Sequence, residues 1–127
     1  LIVDDDSISR RIAKRVCELT THDFKIDTTE NGYQAIQFIR AAIAEQSSLL
    51  PDIILLAIKM PVMDGWSFIH EFRQLPEAAT KDIDIYMVTS SCDERDKKRA
   101  VNCSTIKNYF DKPFTANVMK TILASSA

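Results

Sequence analysis

Three consecutive aspartates, Asp4, Asp5 and Asp6, follow at once on a short apolar run at the start of the chain. Far downstream, Thr89-Ser90 closes a second apolar run and Asp111-Lys112-Pro113 closes a third. Each residue type has a use around a metal-bound anion. Clustered carboxylates repel one another unless a hard cation sits between them, and oxygen donors of this kind suit Mg²⁺. A threonine hydroxyl can donate to a phosphoryl oxygen. A lysine ammonium offsets the charge of a phosphoryl group as a compact point charge. Together such groups stabilise an anion on a metal, which is what phosphoryl transfer requires. The residues lie far apart in sequence, so only a fold can bring them together.

The elements that could do so read as an alternation. Leu1 to Val3 is a short apolar strand. Ser7 is a candidate helix cap, and Ile8, Ile12, Val16 and Leu19 recur at helical spacing. Phe24 to Thr28 alternates as a second strand, Asn31-Gly32 turns the chain, and Ala35, Ile36, Ile39 and Ile43 make a second helical face. Gln46 to Pro51 is a loop. The run Ile53-Ile54-Leu55-Leu56 suits a strand covered on both faces, and it ends at Ala57. Met60-Pro61 and Asp64-Gly65 mark a loop, followed by a third helix from Trp66 to Leu75. Pro76 to Asp82 reads as a loop and Ile83 to Thr89 as a fourth strand. Ser91-x-x-Glu94 has the form of a capping box opening a helix to about Val101. Ile106 to Phe110 is a fifth strand, and Thr115 caps a last helix carrying Val118, Met119, Ile122 and Leu123. Strands alternating strictly with helices predict a doubly wound parallel α/β sheet covered on both faces. Ligands of such a sheet bind beyond the carboxyl ends of its strands, where the acids, hydroxyls and lysine fall.

Composition narrows the function classes. The chain has 127 residues, 46% of them apolar, which predicts a single domain over 1–127 with one core. Net charge is −2, unlike the clearly basic balance of an electrostatic nucleic-acid binder. The longest apolar run, Ile53 to Ile58, is far short of a bilayer span, and no signal peptide is visible. The absence of a starting Met, and an opening inside a strand, suggest a trimmed piece of a longer protein. Cys17, Cys92 and Cys103 are odd in number and widely spaced, with no CxxC pair, so free thiols in a reducing, cytoplasmic setting are expected. Neither glycine, Gly32 or Gly65, belongs to a GxGxxG or GxxxxGK phosphate loop.

Val3-Asp4-Asp5-Asp6, Asp52 through Ala57 to Met60-Pro61-Val62-Met63-Asp64-Gly65, Val88-Thr89-Ser90 and Tyr109-Phe110-Asp111-Lys112-Pro113-Phe114 together resemble the receiver domains of two-component response regulators. The resemblance covers essentially the whole chain, with the motifs in order and each at a strand end. It implies a flavodoxin-like, five-stranded parallel sheet of order 2-1-3-4-5. It implies that Asp4 and Asp5 are the acidic pair, Asp5 being the more direct Mg²⁺ ligand, and that the Lys59 backbone carbonyl completes the metal site. Thr89 matches the hydroxyl that senses phosphorylation, Tyr109 the aromatic that rotates inward in the active domain, and Lys112 the lysine that contacts the phosphoryl group. A cis Lys112-Pro113 bond is implied as well. So are partners that are histidine kinases or histidine phosphotransfer proteins, and a homodimer through the helix 4–strand 5–helix 5 face.

The chain departs from that pattern at one place. Ala57 stands where the family carries the aspartate that becomes aspartyl phosphate. A methyl group neither attacks a phosphoryl donor nor ligates a metal, and its neighbours Leu56 and Ile58 offer no substitute. Asp4 and Asp5 would approach from another strand, and a Ser90 hydroxyl lacks a positioned base. The expected consequence is a domain that is not itself an enzyme, is not phosphorylated at Ala57 and binds Mg²⁺ weakly. Ala57 reads either as an engineered change in a working receiver or as the mark of a natural pseudo-receiver that docks without phosphate. Two readings from other classes are weaker. A flavin site would need a Gly/Ser/Thr-rich loop after strand one, where three aspartates stand instead. A metal-dependent phosphatase of related topology would need the missing nucleophile.

Blander roles run alongside. The aspartates could serve only as a solvated turn and cap, Thr89 as a strand end, Tyr109 as a half-buried strand aromatic and Lys112 as a surface lysine. Trp66 reads as a packing residue, the charged stretch from Arg95 to Arg99 as a solvated helix face, and His22 and His70 as ordinary surface or boundary residues.

Overall fold

The computed structural model describes residues 1–20, 25–45 and 47–126. In chain order the elements are β1 (Ile2–Val3), α1 (Ser7–Thr20), β2 (Thr28–Thr29), α2 (Gly32–Glu45), β3 (Ile53–Leu56), α3 (Gly65–Phe72), β4 (Asp84–Thr89), α4 (Glu94–Val101), β5 (Ile106–Asp111) and α5 (Ala116–Ser126). All pairings are parallel, as the alternation of strands and helices predicts, and the sheet order is β2-β1-β3-β4-β5, as the family resemblance implies.

The register sets the carboxyl ends of the strands along one edge, with β4 and β5 running two residues past β1 and β3. Val3 lies opposite Leu56, Leu56 opposite Met87, and Met87 opposite Tyr109. The residues just beyond Val3, Leu56, Thr89 and Asp111 therefore collect along one edge. Two apolar layers hold the sheet from either side. One joins Val3, Ile54, Leu56, Ile85 and Met87 to Ala35, Ile36 and Ile39 of α2 and to Phe68, Ile69 and Phe72 of α3. The other joins Ile2, Leu55, Tyr86 and Val88 to Ala13 and Cys17 of α1 and to Met119 and Ile122 of α5. The alternation along β3 and β4 divides the two layers, because successive side chains leave a strand on opposite faces.

Several local expectations need correcting. The second strand is Thr28–Thr29 rather than a run from Phe24, which lies outside the described residues along with His22. β2 is an edge strand whose one neighbour, β1, has two residues, so only two can pair. In α1 the buried residues are Ala13 and Cys17, whereas Ile8, Ile12 and Leu19 are exposed. Small side chains let this helix close against the sheet, with the Cys17 thiol reaching the Met119 sulfur at 4.0 Å. Asp6, not Ser7, caps α1: its carboxylate accepts from the Ile8 amide at 3.2 Å and from the Ser9 hydroxyl at 2.7 Å. Asp93, not Ser91, caps α4, accepting from the Arg95 amide at 2.9 Å. A carboxylate outcompetes a hydroxyl at both starts because the helix N-terminus favours negative charge. The third helix spans Gly65–Phe72, capped by Asp64, which accepts from the Ser67 amide at 2.8 Å. The loop read between Pro76 and Asp82 contains a helical turn at Glu77–Thr80, and the loop after α2 a 3₁₀ turn at Ser47–Leu49.

Candidate functional site

Beyond the strand ends, Asp4 is buried and its carboxylate has two partners. The Lys112 ammonium sits at 2.7 Å from one oxygen, and the Asp6 amide donates to the other at 3.0 Å. Arg10 on α1 donates to the Asp4 carbonyl oxygen at 2.8 Å. The Asp4 backbone is thus fixed from α1 while its side chain is fixed from the β5–α5 loop. Lys112 is brought there by its own amide, which donates to the Thr89 carbonyl at 2.9 Å; the Lys112-Pro113 bond that follows is cis.

Ala57 is buried in the midst of these groups. Its amide donates to the Val3 carbonyl at 3.0 Å, continuing the β1–β3 ladder by one residue. A pocket of about 230 Å³ opens here, lined by Ala57, Asp4 and Lys112 together with Ile12, Val88 and Phe114. The β3–α3 loop that follows is packed tightly. The Gly65 amide donates to the Ile58 carbonyl at 2.7 Å, and a Cβ on Gly65 would run into the Ala57 carbonyl oxygen. In the same loop Val62 adopts a φ of 75° and the residue is 85% exposed.

Thr89 is buried, and its hydroxyl oxygen accepts from the Ser91 amide at 3.1 Å. Tyr109 is half-buried and its phenol donates to the Ser91 carbonyl at 3.2 Å. Burial first, and then the acids Asp111 and Asp96, push the Tyr109 phenol above its ordinary pKa.

The fold therefore joins Asp4, Ala57 and Lys112 in one pocket and links Thr89 to both Lys112 and Tyr109 through backbone bonds. It separates the three aspartates that the sequence groups. Asp4 is buried and paired, Asp6 is an exposed helix cap, and Asp5 is exposed and makes no hydrogen bond or ion pair among the described residues. Lys59 is exposed in the β3–α3 loop, and no bond joins it to Asp4 or Asp5 among the described residues. No group of three His, Cys, Asp or Glu side chains gathers to hold a metal among the described residues. The oxygens of Asp4 and Asp5 are still the hard donors that Mg²⁺ takes, an ion that keeps several of its own waters. The Ala57 methyl offers no oxygen, and Asp4 is paired with Lys112. Arg10 and Ser91 are the residues that sequence reasoning missed. The available signals were a basic residue near the start of α1 and a second hydroxyl two residues beyond Thr89.

The family model of the response regulator receiver domain matches residues 1–124. The chain belongs to this family. It is a receiver domain, a signalling module of two-component systems. It is 28% identical over 126 residues to the sensor histidine kinase CheAY of Helicobacter pylori, covering 99% of this chain and 14% of that protein. It is 30% identical over 115 residues to the chemotaxis protein CheY of Halobacterium salinarum, covering 90% of this chain and 83% of that one. A two-component response regulator from Cytophaga hutchinsonii matches this receiver domain with a TM-score of 0.89 at 26% identity, over 98% of this chain and 92% of that chain. Since the chain spans only 14% of CheAY, that protein's activity does not carry over to it. No helix among the described residues is long and apolar enough to cross a membrane.

Proposed function

We propose that this receiver domain relays signals through protein contacts and accepts no phosphoryl group at the end of β3, where Ala57 takes the place of the acceptor aspartate. The observation that carries the reading is the Ala57 methyl lying in one pocket with the Asp4–Lys112 pair. Lys112 would stabilise an anion and Asp4 would help to hold a metal, and the carboxylate oxygen they would serve is absent from position 57. Asp4, Asp5 and the Lys59 carbonyl are the groups that would hold Mg²⁺, weakly for want of a carboxylate at position 57. Bound there, the ion would supply charge neutralisation for a phosphoryl group. Lys112 and Thr89 are the residues that would contact that group, and Tyr109 the residue that would report it.

The partners on this reading are a histidine kinase or a histidine phosphotransfer protein. Support comes from the family and from CheAY, itself named a sensor histidine kinase. Exposed Ile8 and Ile12 on α1 and exposed Val62 are apolar side chains of the kind that a docked protein covers. The domain acts as one unit over 1–127, in the cytoplasm, and a homodimer through the α4–β5–α5 face is part of the same reading. A natural pseudo-receiver and an engineered acceptor-less receiver share this chemistry.

The test is incubation with acetyl phosphate and Mg²⁺, read by intact mass. The chain is expected to gain nothing, and its Ala57→Asp variant one phosphoryl group. Uptake by the chain itself refutes the missing acceptor. Failure of the Ala57→Asp variant to take up phosphate refutes the receiver assignment of the pocket.

A further inference from the structure

A second polar cluster lies next to the strand-end pocket, between α3 and α4, and the pocket chemistry makes no use of it. Trp66, the one tryptophan of the chain, is half-buried on α3 and packs against the core layer that includes Phe68 and Ile69. Its indole N–H donates to one carboxylate oxygen of Asp96 on α4 at 3.1 Å. One turn further along α4, the Arg99 guanidinium lies 4.3 Å from the centroid of the indole ring. The Trp66 ring is thus held at its edge by an acid and on its face by a cation, both from the same helix. The other Asp96 oxygen accepts from the Ser91 hydroxyl at 2.8 Å. Ser91 is buried and each of its polar groups is bonded: its hydroxyl oxygen also accepts from the Asp93 amide at 3.3 Å, its amide donates to Thr89, and its carbonyl accepts from the Tyr109 phenol.

These bonds form one unbroken path from α3 through α4 to β5. Asp96 is its centre, since its two carboxylate oxygens each accept one of the bonds and the charge strengthens both. The path also passes around the strand-end pocket. Thr89, which Lys112 also contacts through its amide, is reached through the Ser91 amide, and none of Trp66, Asp96, Ser91 and Tyr109 bonds to Ala57, Asp4 or Lys112 among the described residues.

We propose that Trp66, Asp96 and Ser91 form a clamp that fixes segment 90–93 and keeps the Tyr109 ring turned in, so that the α4–β5 face holds one shape with no phosphoryl group on the sheet. The clamp stands on this geometry alone. That the face it fixes is a docking face rests on the receiver reading, and the two fail separately, because phosphoryl uptake is scored by mass and the clamp by spectroscopy.

The experiment compares the chain with Asp96→Ala by hydrogen exchange over 90–93, by Tyr109 ring signals in NMR and by acrylamide quenching of Trp66. Loss of a charge-assisted pair of bonds is expected to speed exchange over 90–93 about tenfold, shift the Tyr109 ring signals and raise quenching of Trp66. Trp66→Phe keeps an aromatic ring in the slot but removes the N–H, and is expected to speed exchange over 90–93 in the same direction. It also serves if Asp96→Ala does not fold. Exchange and Tyr109 signals that stay at the original values in the folded variant would overturn the clamp, whether or not Trp66 becomes more accessible.

Discussion

At position 57 the difference between a methyl group and a carboxylate acts through the pair beside it. Asp4 is buried and already neutralised by Lys112 at 2.7 Å. A second carboxylate at a site that is 5% exposed would compete for the same ammonium and be desolvated with no cation of its own. In metal-free buffer Ala57→Asp is therefore expected to be less stable by on the order of 1 kcal/mol. Its Mg²⁺ affinity should rise by roughly tenfold with the added anionic ligand. Thermal midpoints in chelator and calorimetric Mg²⁺ titrations check the two halves. A variant that is more stable without metal, or one that binds Mg²⁺ no better, would count against the account. Val62 makes the opposite kind of case. A β-branched residue at a φ of 75° is strained, and being 85% exposed it has little packing to lose. Val62→Gly is expected to raise stability by up to about 1 kcal/mol, the relief of the left-handed conformation outweighing the added chain entropy. Gly65→Ala, a few residues on, should lose roughly 2 kcal/mol because its methyl meets the Ala57 carbonyl. Denaturant midpoints of the two variants should move in opposite directions.

Among the elements, α1 and α4 are both started by an aspartate that points back at its own first turn. The Ser9 hydroxyl, and then the Ile8 amide, hold the Asp6 carboxyl below its usual pKa. The Arg95 side chain, and then its amide, do the same for Asp93. A carboxyl with a depressed folded pKa contributes stability that is complete above its unfolded value, about 4, and is lost as pH falls through the lower folded value. Stability should therefore decline on acidification below about pH 4. The double variant Asp6→Asn, Asp93→Asn keeps neutral caps and should show a shallower decline. Urea midpoints taken down a pH series measure it, and parallel slopes would remove the caps from the explanation. These caps also show what a sequence conceals. Ser7 and Ser91 have the composition of caps, yet a carboxylate stood one residue before the first and two after the second, and only the backbone turn decides which side chain reaches the free amides. The exposed Ile8, Ile12 and Leu19 mislead in a similar way. Apolar spacing marks a helix, but which stripe is buried depends on what lies opposite, and here Ala13 and Cys17 let α1 approach closely. Where one pattern sufficed, the reading held. The strand Ile53–Leu56, buried on both faces, and the α2 stripe of Ala35, Ile36 and Ile39 are where periodicity places them. That Asp4 and Lys112 lie at the same edge was legible because parallel topology dictates it, although their direct pairing past β3 and β4 depends on the β5–α5 loop. The link from Thr89 through Ser91 to Tyr109 was not, because it runs through backbone atoms that residue identity does not reveal.

For the molecule as a whole, the sheet is the common wall of two cores, and neither layer is closed without it. Ile36 and Ile39 of α2 fill one side, and Met119 and Ile122 of α5 the other, with β3 and β4 sending alternate residues to each. Removing buried volume on either side should therefore loosen both. Ile39→Ala and Ile122→Ala each delete a fully buried side chain and are expected to cost about 3 kcal/mol. Trp66 gives a local view, since it packs on the α2–α3 side, remote from Ile122. If the sheet couples the layers, Ile122→Ala should shift the Trp66 fluorescence transition by as much as it shifts the far-ultraviolet circular dichroism transition, with the two remaining coincident. A Trp66 transition that keeps its original midpoint while the dichroism falls early would mean that the α1–α5 layer melts by itself. Any coupling between α1 and the α4–β5 face would then have to run through the strand-end residues and not through the shared core.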